Sequence, residues 1–135
     1  LGGDSILYHL SLDSGLTSLT PRVPECAIST YENTSTKRIC FSDFIEGCLS
    51  ALQDSPSKYY VYIPENIQED EIYYPTVYDV RDCKYTHEVW VLNTIKVKCI
   101  GIIESSECDW IKRHNSGRGR TTFFHYPYKW IEKWS

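Results

Sequence analysis

The sequence predicts a single α+β domain with more strand than helix. Three observations carry that expectation. Arg38-Ile39-Cys40-Phe41 is a short apolar run leading through Ser42 and Asp43 into Phe44, Ile45, Cys48, Leu49 and Leu52. Their spacing of one, three and four reads as a strand turning into an amphipathic helix. Residues 58–63 are Lys-Tyr-Tyr-Val-Tyr-Ile, closed by Pro64, which is how a central strand reads. Residues 88–92 and 95–104 form two further strands joined through Asn93-Thr94, and together they predict a hairpin.

The totals agree with one domain. A chain of 135 residues, 41% hydrophobic, can bury a core without metal or disulfide staples. The domain is expected over residues 4–135, with Leu1-Gly2-Gly3 set aside as an added or trimmed terminus. No apolar run approaches the roughly 20 residues of a membrane span, and no signal-peptide pattern opens the chain. The expectation is a soluble, cytoplasmic protein with no membrane partner. A formal charge of -4 argues against general nucleic-acid binding, for which a basic surface is needed. The six cysteines, at 26, 40, 48, 83, 99 and 108, lack the two-residue spacing of metal sites, and several sit inside strand or helix patterns. They read as reduced thiols. Asn33-Thr34-Ser35 matches a glycosylation acceptor, but three residues recur by chance.

Taken in order, residues 5–11 make a first strand, with Ile6, Tyr8 and Leu10 on one face and Leu7, His9 and Ser11 on the other. Residues 12–25 are loop-rich and end in Thr20-Pro21-Arg22-Val23-Pro24, whose prolines hold Arg22 on stiff, extended backbone. An arginine displayed in this way suits an anion. Residues 26–37 are a polar loop. In the helix over 43–52, Ser42 or Asp43 serves as N-cap, with Glu46 completing a capping-box-like pair. Asp54-Ser55-Pro56-Ser57 stops it. Residues 65–71 are acidic, and residues 73–82 are extended and turn-rich. In the strand over 95–104, Ile95, Val97 and Cys99 point inward and Lys96 and Lys98 outward, and Gly101 marks a bulge or a close backbone approach. Residues 108–113 read as a helical turn, 114–120 as a basic loop, 121–128 as a strand and 128–134 as a short terminal helix carrying Trp130, Ile131 and Trp134.

Most catalytic templates fit poorly. There is no Gly-x-Ser-x-Gly elbow, no His-Glu-x-x-His and no phosphate loop, and the four histidines, at 9, 87, 114 and 125, are scattered. A different succession is present. Tyr8-His9-Leu10-Ser11 is followed by the Ile39-Cys40-Phe41-Ser42 corner, the strand at 59–63, Glu88-Val89-Trp90, and Cys99-Ile100-Gly101-Ile102-Ile103-Glu104. In that order the chain resembles the ADP-ribosyltransferase superfamily, and is similar to small bacterial members such as the rifampin ADP-ribosyltransferases. Those carry a Tyr-His-Gly-Thr strand, a Tyr-Phe-Ser corner, a Tyr/Ile-rich strand and a late Ile-x-x-Gly-x-Val-Glu strand. Leu10 stands here where the family keeps a glycine.

The resemblance implies split antiparallel β-sheets with a few short helices, and NAD as the ADP-ribose donor. Breaking the ribose–nicotinamide bond builds positive charge at the anomeric carbon, and a carboxylate beside the ribose stabilises it. Glu88 is the matching acid at the start of a late strand. The cluster Glu69, Asp70 and Glu71, in the loop after the third strand, is the alternative, and both stay open. By the same resemblance His9 and Ser11 bond and orient a ribose, Phe41 and Ser42 meet the nicotinamide end, and Arg22 takes the pyrophosphate. The acceptor, a protein or a small molecule, is not specified.

Two other readings remain. One is a non-catalytic interaction or inhibitor protein of phage or mobile-element type, using the Tyr-rich, acidic residues 65–82. The other is RNA 2′-phosphate transfer, which asks for a basic pocket, whereas the basic residues here gather at 113–120.

Overall fold

The structure is a computed structural model that describes residues 6–23, 33, 35–52, 57–76, 78–79, 87–105 and 128–134. Its described part is built mostly from antiparallel sheets with one short helix. The strands are β1 (His9–Ser11), β2 (Ser18–Leu19), β3 (Ile39–Phe41), β4 (Ser57–Pro64), β5 (Ile72–Tyr73), β6 (Val89–Val91), β7 (Ile95–Ser105) and β8 (Tyr128–Lys133), and the helix is α1 (Ile45–Leu52). One sheet runs β1-β4-β7-β2 with β8 also on β7, and the other runs β3-β6-β5.

Two cores follow from strand alternation. Leu7, Tyr62, Ile95 and Val97 on the larger sheet pack with Ile39, Phe41, Val89 and Val91 on the smaller one. On the opposite face of the larger sheet, Leu10, Tyr59, Val61 and Ile103 pack with Ile45 and Leu49 of α1. The layers are therefore helix, large sheet, small sheet. The face assignment of residues 6–11 holds, since Leu7 joins the first core while Tyr8 and Leu10 join the second. The apolar stripe of α1 holds as well, with Ile45 and Leu49 buried.

Gly101 both marks a bulge and meets another backbone. Val61 pairs with Gly101 but Tyr62 pairs with Cys99, so Ile100 is an extra residue on β7. An inserted residue moves every later side chain to the other face. Accordingly Ile95 and Val97 enter the core between the sheets, whereas Ile103 enters the core under α1, although all three positions are odd-numbered. Gly101 has φ +152, and a Cβ there would collide with the Glu132 carbonyl oxygen and lie 2.8 Å from Cζ3 of Trp130.

Four expectations are corrected. Residues 128–133 form β8, paired with β7 through Gly101–Ser105, and are not a helix. The 3.6-residue spacing of Trp130, Ile131 and Trp134 is overridden by the unpaired edge of β7 and by the strand preference of Tyr, Trp and Ile. The strands at 89–91 and 95–105 are not a hairpin, because β6 pairs with β3 and β5 while β7 lies in the other sheet. Val89, Trp90 and Val91 are all buried, so β6 needs cover on both faces, which a two-stranded hairpin does not provide. Residues 18–19, read as loop, pair with β7. Among the described residues the helical content is α1 and a three-residue 3₁₀ turn at Glu69–Glu71, not several helices. The turn, loop and strand expected over 108–127 lie outside the described residues.

Candidate functional site

The site is assembled along the edge of β3 that faces away from β6. At the start of β3, Arg38 and Arg22 exchange backbone hydrogen bonds of 3.0 and 3.1 Å. At its end, Ser42 and Tyr8 do the same at 3.0 and 2.7 Å. Between these bridges the Cys40 carbonyl accepts a hydrogen bond from Nδ1 of His9 at 2.8 Å. The carbonyl can only accept, so Nδ1 carries the proton. Burial holds the His9 imidazole below its ordinary pKa, the Cys40 contact opposes this, and the nearby Arg22 charge adds to the lowering. The ring is thus neutral at neutral pH, with Nε2 as an acceptor for a hydroxyl.

Phe41 supports this ring, with centroids 5.7 Å apart and planes tilted by 57°. It is 2% exposed, so it backs His9 from within the core instead of offering a stacking face. Ser42 is buried too, and its Oγ accepts the Phe44 N–H at 3.4 Å, which makes it the cap of the strand-to-helix corner. Ser11 lies on the His9 face of β1, two residues on, where its Oγ accepts the Asp13 N–H at 3.0 Å and closes a turn. Arg22 is exposed. The edge therefore brings His9, Arg22, Phe41 and Ser42 together and leaves Ser11 at the neighbouring turn.

Glu88 sits on the other face of β3. Its Oε2 accepts the indole N–H of Trp90 at 2.6 Å and the thiol of Cys40 at 3.6 Å. Trp90 is fixed in turn by the Arg38 guanidinium, 4.3 Å from its ring centroid, and by Tyr73, stacked at 5.3 Å. Because successive strand residues point to opposite faces, β3 lies between Glu88, on the Cys40 side, and His9, on the Phe41 side. Burial raises the Cys40 thiol well above its usual range, with the Glu88 charge adding to it, and burial pushes Cys48 up to about 12. Cys40, Cys48 and Cys99 are free thiols, and the other three cysteines lie outside the described residues.

The alternative acids occupy the 3₁₀ turn before β5, on the far side of β6 from β3. Glu69 accepts the Tyr74 hydroxyl at 2.6 Å, and Glu71 accepts the Gln68 N–H at 3.0 Å. Glu88 is one strand from Cys40, whereas this cluster is two strands away, about 10 Å.

A pair missed in the sequence closes the same end of the β3–β6 ladder. Two residues beyond the Phe41–Val89 rung, Nδ1 of His87 meets Oδ1 of Asp43 at 2.9 Å, and the His87 and Phe44 rings pack at 4.9 Å. His87 has φ +57, the left-handed region. Asp43 had a sufficient local explanation as a helix cap, and no spacing rule links residues 43 and 87. Their closeness follows only from β3–β6 pairing.

Asn33 is committed within the fold, donating through Nδ2 to Thr36 at 2.8 Å and to Asp79 at 3.4 Å. Among the described residues no group of three His, Cys, Asp or Glu side chains could hold a metal ion, and no helix is long and apolar enough to cross a membrane. Compared with known proteins, the chain matches no family model, no curated protein and no solved structure.

Proposed function

We propose that this protein binds NAD along the outer edge of β3 and transfers its ADP-ribose to an acceptor. The observation that carries this reading is the order of groups on that edge. Arg22 stands at the Arg38 end, His9 at Cys40, and the Ser42 corner at the other end. The edge from residue 38 to residue 42 is about 13 Å long, enough to reach from the pyrophosphate to the nicotinamide ribose of a bent dinucleotide. In this reading Arg22 pairs with the pyrophosphate, and Nε2 of neutral His9 accepts a ribose hydroxyl. The nicotinamide ribose lies at the corner where β3 ends, and the Glu88 carboxylate, which rests on Trp90 and Cys40 on the other face of the strand, comes round that end to the anomeric carbon. Phe41 and Ser42 act by holding His9 and the corner in place. An imidazole held through Nδ1–H on the Cys40 carbonyl, with Nε2 left to accept, fits a ribose-binding site better than a purely structural corner, for which the Ser42 cap suffices.

Isothermal titration with NAD, and nicotinamide release with and without candidate acceptors, test this. His9→Ala weakens NAD binding ten-fold or more, while Glu88→Gln leaves binding within about three-fold and slows nicotinamide release by about 10²-fold. A chain that binds no NAD at millimolar concentration and releases no nicotinamide contradicts the proposal.

A second reading has its own observation. Tyr73, Tyr74 and Tyr78 are 41%, 45% and 94% exposed beside the acidic turn, which suits a contact face of a non-catalytic interaction protein. Stoichiometric capture of one partner, lost in Tyr74→Ser/Tyr78→Ser and unchanged in Glu88→Gln, favours it.

A further inference from the structure

We infer that His87 and Asp43 are the acid–base pair that takes the proton from the acceptor, and that the acceptor attacks through a group that carries a proton, as a hydroxyl does. This rests on the NAD reading above and adds a residue pair and a substrate class to it. Three features support it. The Asp43 carboxylate can only accept, so the hydrogen bond of 2.9 Å places a proton on Nδ1, and the neutral ring then carries its lone pair on Nε2. The side chain of His87 is 55% exposed, so an acceptor arriving from solvent can reach it. Its backbone is held at φ +57, a conformation that non-glycine residues seldom adopt, and the Asp43 bond and the Phe44 ring hold the side chain in place.

The contrast with His9 is chemical. His9 is braced by a neutral carbonyl and partly buried beside Arg22, which suits a fixed acceptor of a hydrogen bond. His87 is braced by a carboxylate that pairs with the imidazolium once formed, which suits a group that gains and loses a proton. Among the described residues, Asp43 is the charged side chain in contact with the His87 ring, and Glu88 follows it in the chain.

The step balances. The acceptor oxygen bonds to the anomeric carbon of the nicotinamide ribose, the bond from that carbon to the pyridinium nitrogen breaks, and nicotinamide leaves neutral with the electron pair. The acceptor's hydroxyl proton passes to Nε2 of His87. A carboxylate acceptor has no proton to give and needs no such pair.

The test compares nucleophiles in the full-length chain, using methanol as a hydroxyl acceptor and azide as one without a proton. In His87→Gln, methyl ADP-ribose formation falls about 10²-fold or more, while azide-supported nicotinamide release stays within about three-fold of the unmodified protein and NAD affinity is unchanged. Asp43→Asn slows the methanol reaction at least ten-fold, again sparing azide. Equal losses with methanol and azide, or no loss with either, overturn the pair while leaving NAD binding and transfer intact. Absence of both NAD binding and nicotinamide release in the unmodified protein overturns the underlying reading and this one with it. Ring ¹⁵N spectra give an independent check, since a neutral His87 protonated at Nε2 instead of Nδ1 overturns the base assignment whatever the kinetics.

Discussion

Gly101 meets two demands at one residue. It takes φ +152 at the bulge of β7, and it lets the Glu132 carbonyl of β8 approach where a Cβ would stand. Gly101→Ala therefore strains the bulge or forces β8 away, and we expect a loss of about 1–3 kcal/mol by urea unfolding. A change within about 0.5 kcal/mol would mean that neither demand is real. His9 sets a second residue-scale expectation. Its folded-state pKa lies below the ordinary 6.5, chiefly through burial, so the unfolded chain binds more protons as the pH falls through 6.5. Its contribution is whole above that value and is lost as the pH drops from there toward the folded pKa. The urea midpoint should fall from pH 7.5 to pH 5.5, and His9→Gln should remove part of that slope. Equal slopes in the two proteins would contradict the burial assigned to the ring.

At the scale of elements, what could be read in advance was what local pattern determines. The alternation of residues 6–11, the inward set of β7 up to Cys99 and the stripe of α1 are each fixed by a period of 2 or 3.6, and each is seen. β8 and the pairing of β6 were not legible, because both depend on distant partners. Trp130, Ile131 and Trp134 satisfy a helical spacing as well as a strand, and only the open edge of β7 decides between them. Val89 and Val91 face one core while Trp90 meets Arg38 and Tyr73 on the other side, a two-sided burial that an Asn-Thr link to β7 cannot announce. The same limit hid His87–Asp43. Its members are 44 positions apart and meet through β3–β6 register. Trp130 ties β8 to the core beneath α1. Trp130→Ala is expected to cost about 2 kcal/mol and to lower the protection of β7 amides at 101–105 in hydrogen exchange. Unchanged stability and protection would make β8 a tail instead of a sheet member.

At the scale of the molecule, the described residues form two sheets and one helix that enclose two cores, and the edge of β3 lies where the sheets are joined by two bridges instead of a continuous ladder. A continuous ladder would use every backbone group on that edge. Here the Cys40 carbonyl is left to a side chain, and the one that takes it is His9. The candidate residues gather because of that interruption, and the NAD proposal stands or falls with it. The most direct measurement is isothermal titration of NAD into the unmodified protein and into His9→Ala, both first shown to be folded by thermal melting. Saturable binding in the first and a ten-fold or greater loss in the second is the predicted result. Binding absent from both at millimolar NAD, or equal in both, would contradict the placement of a ribose at His9.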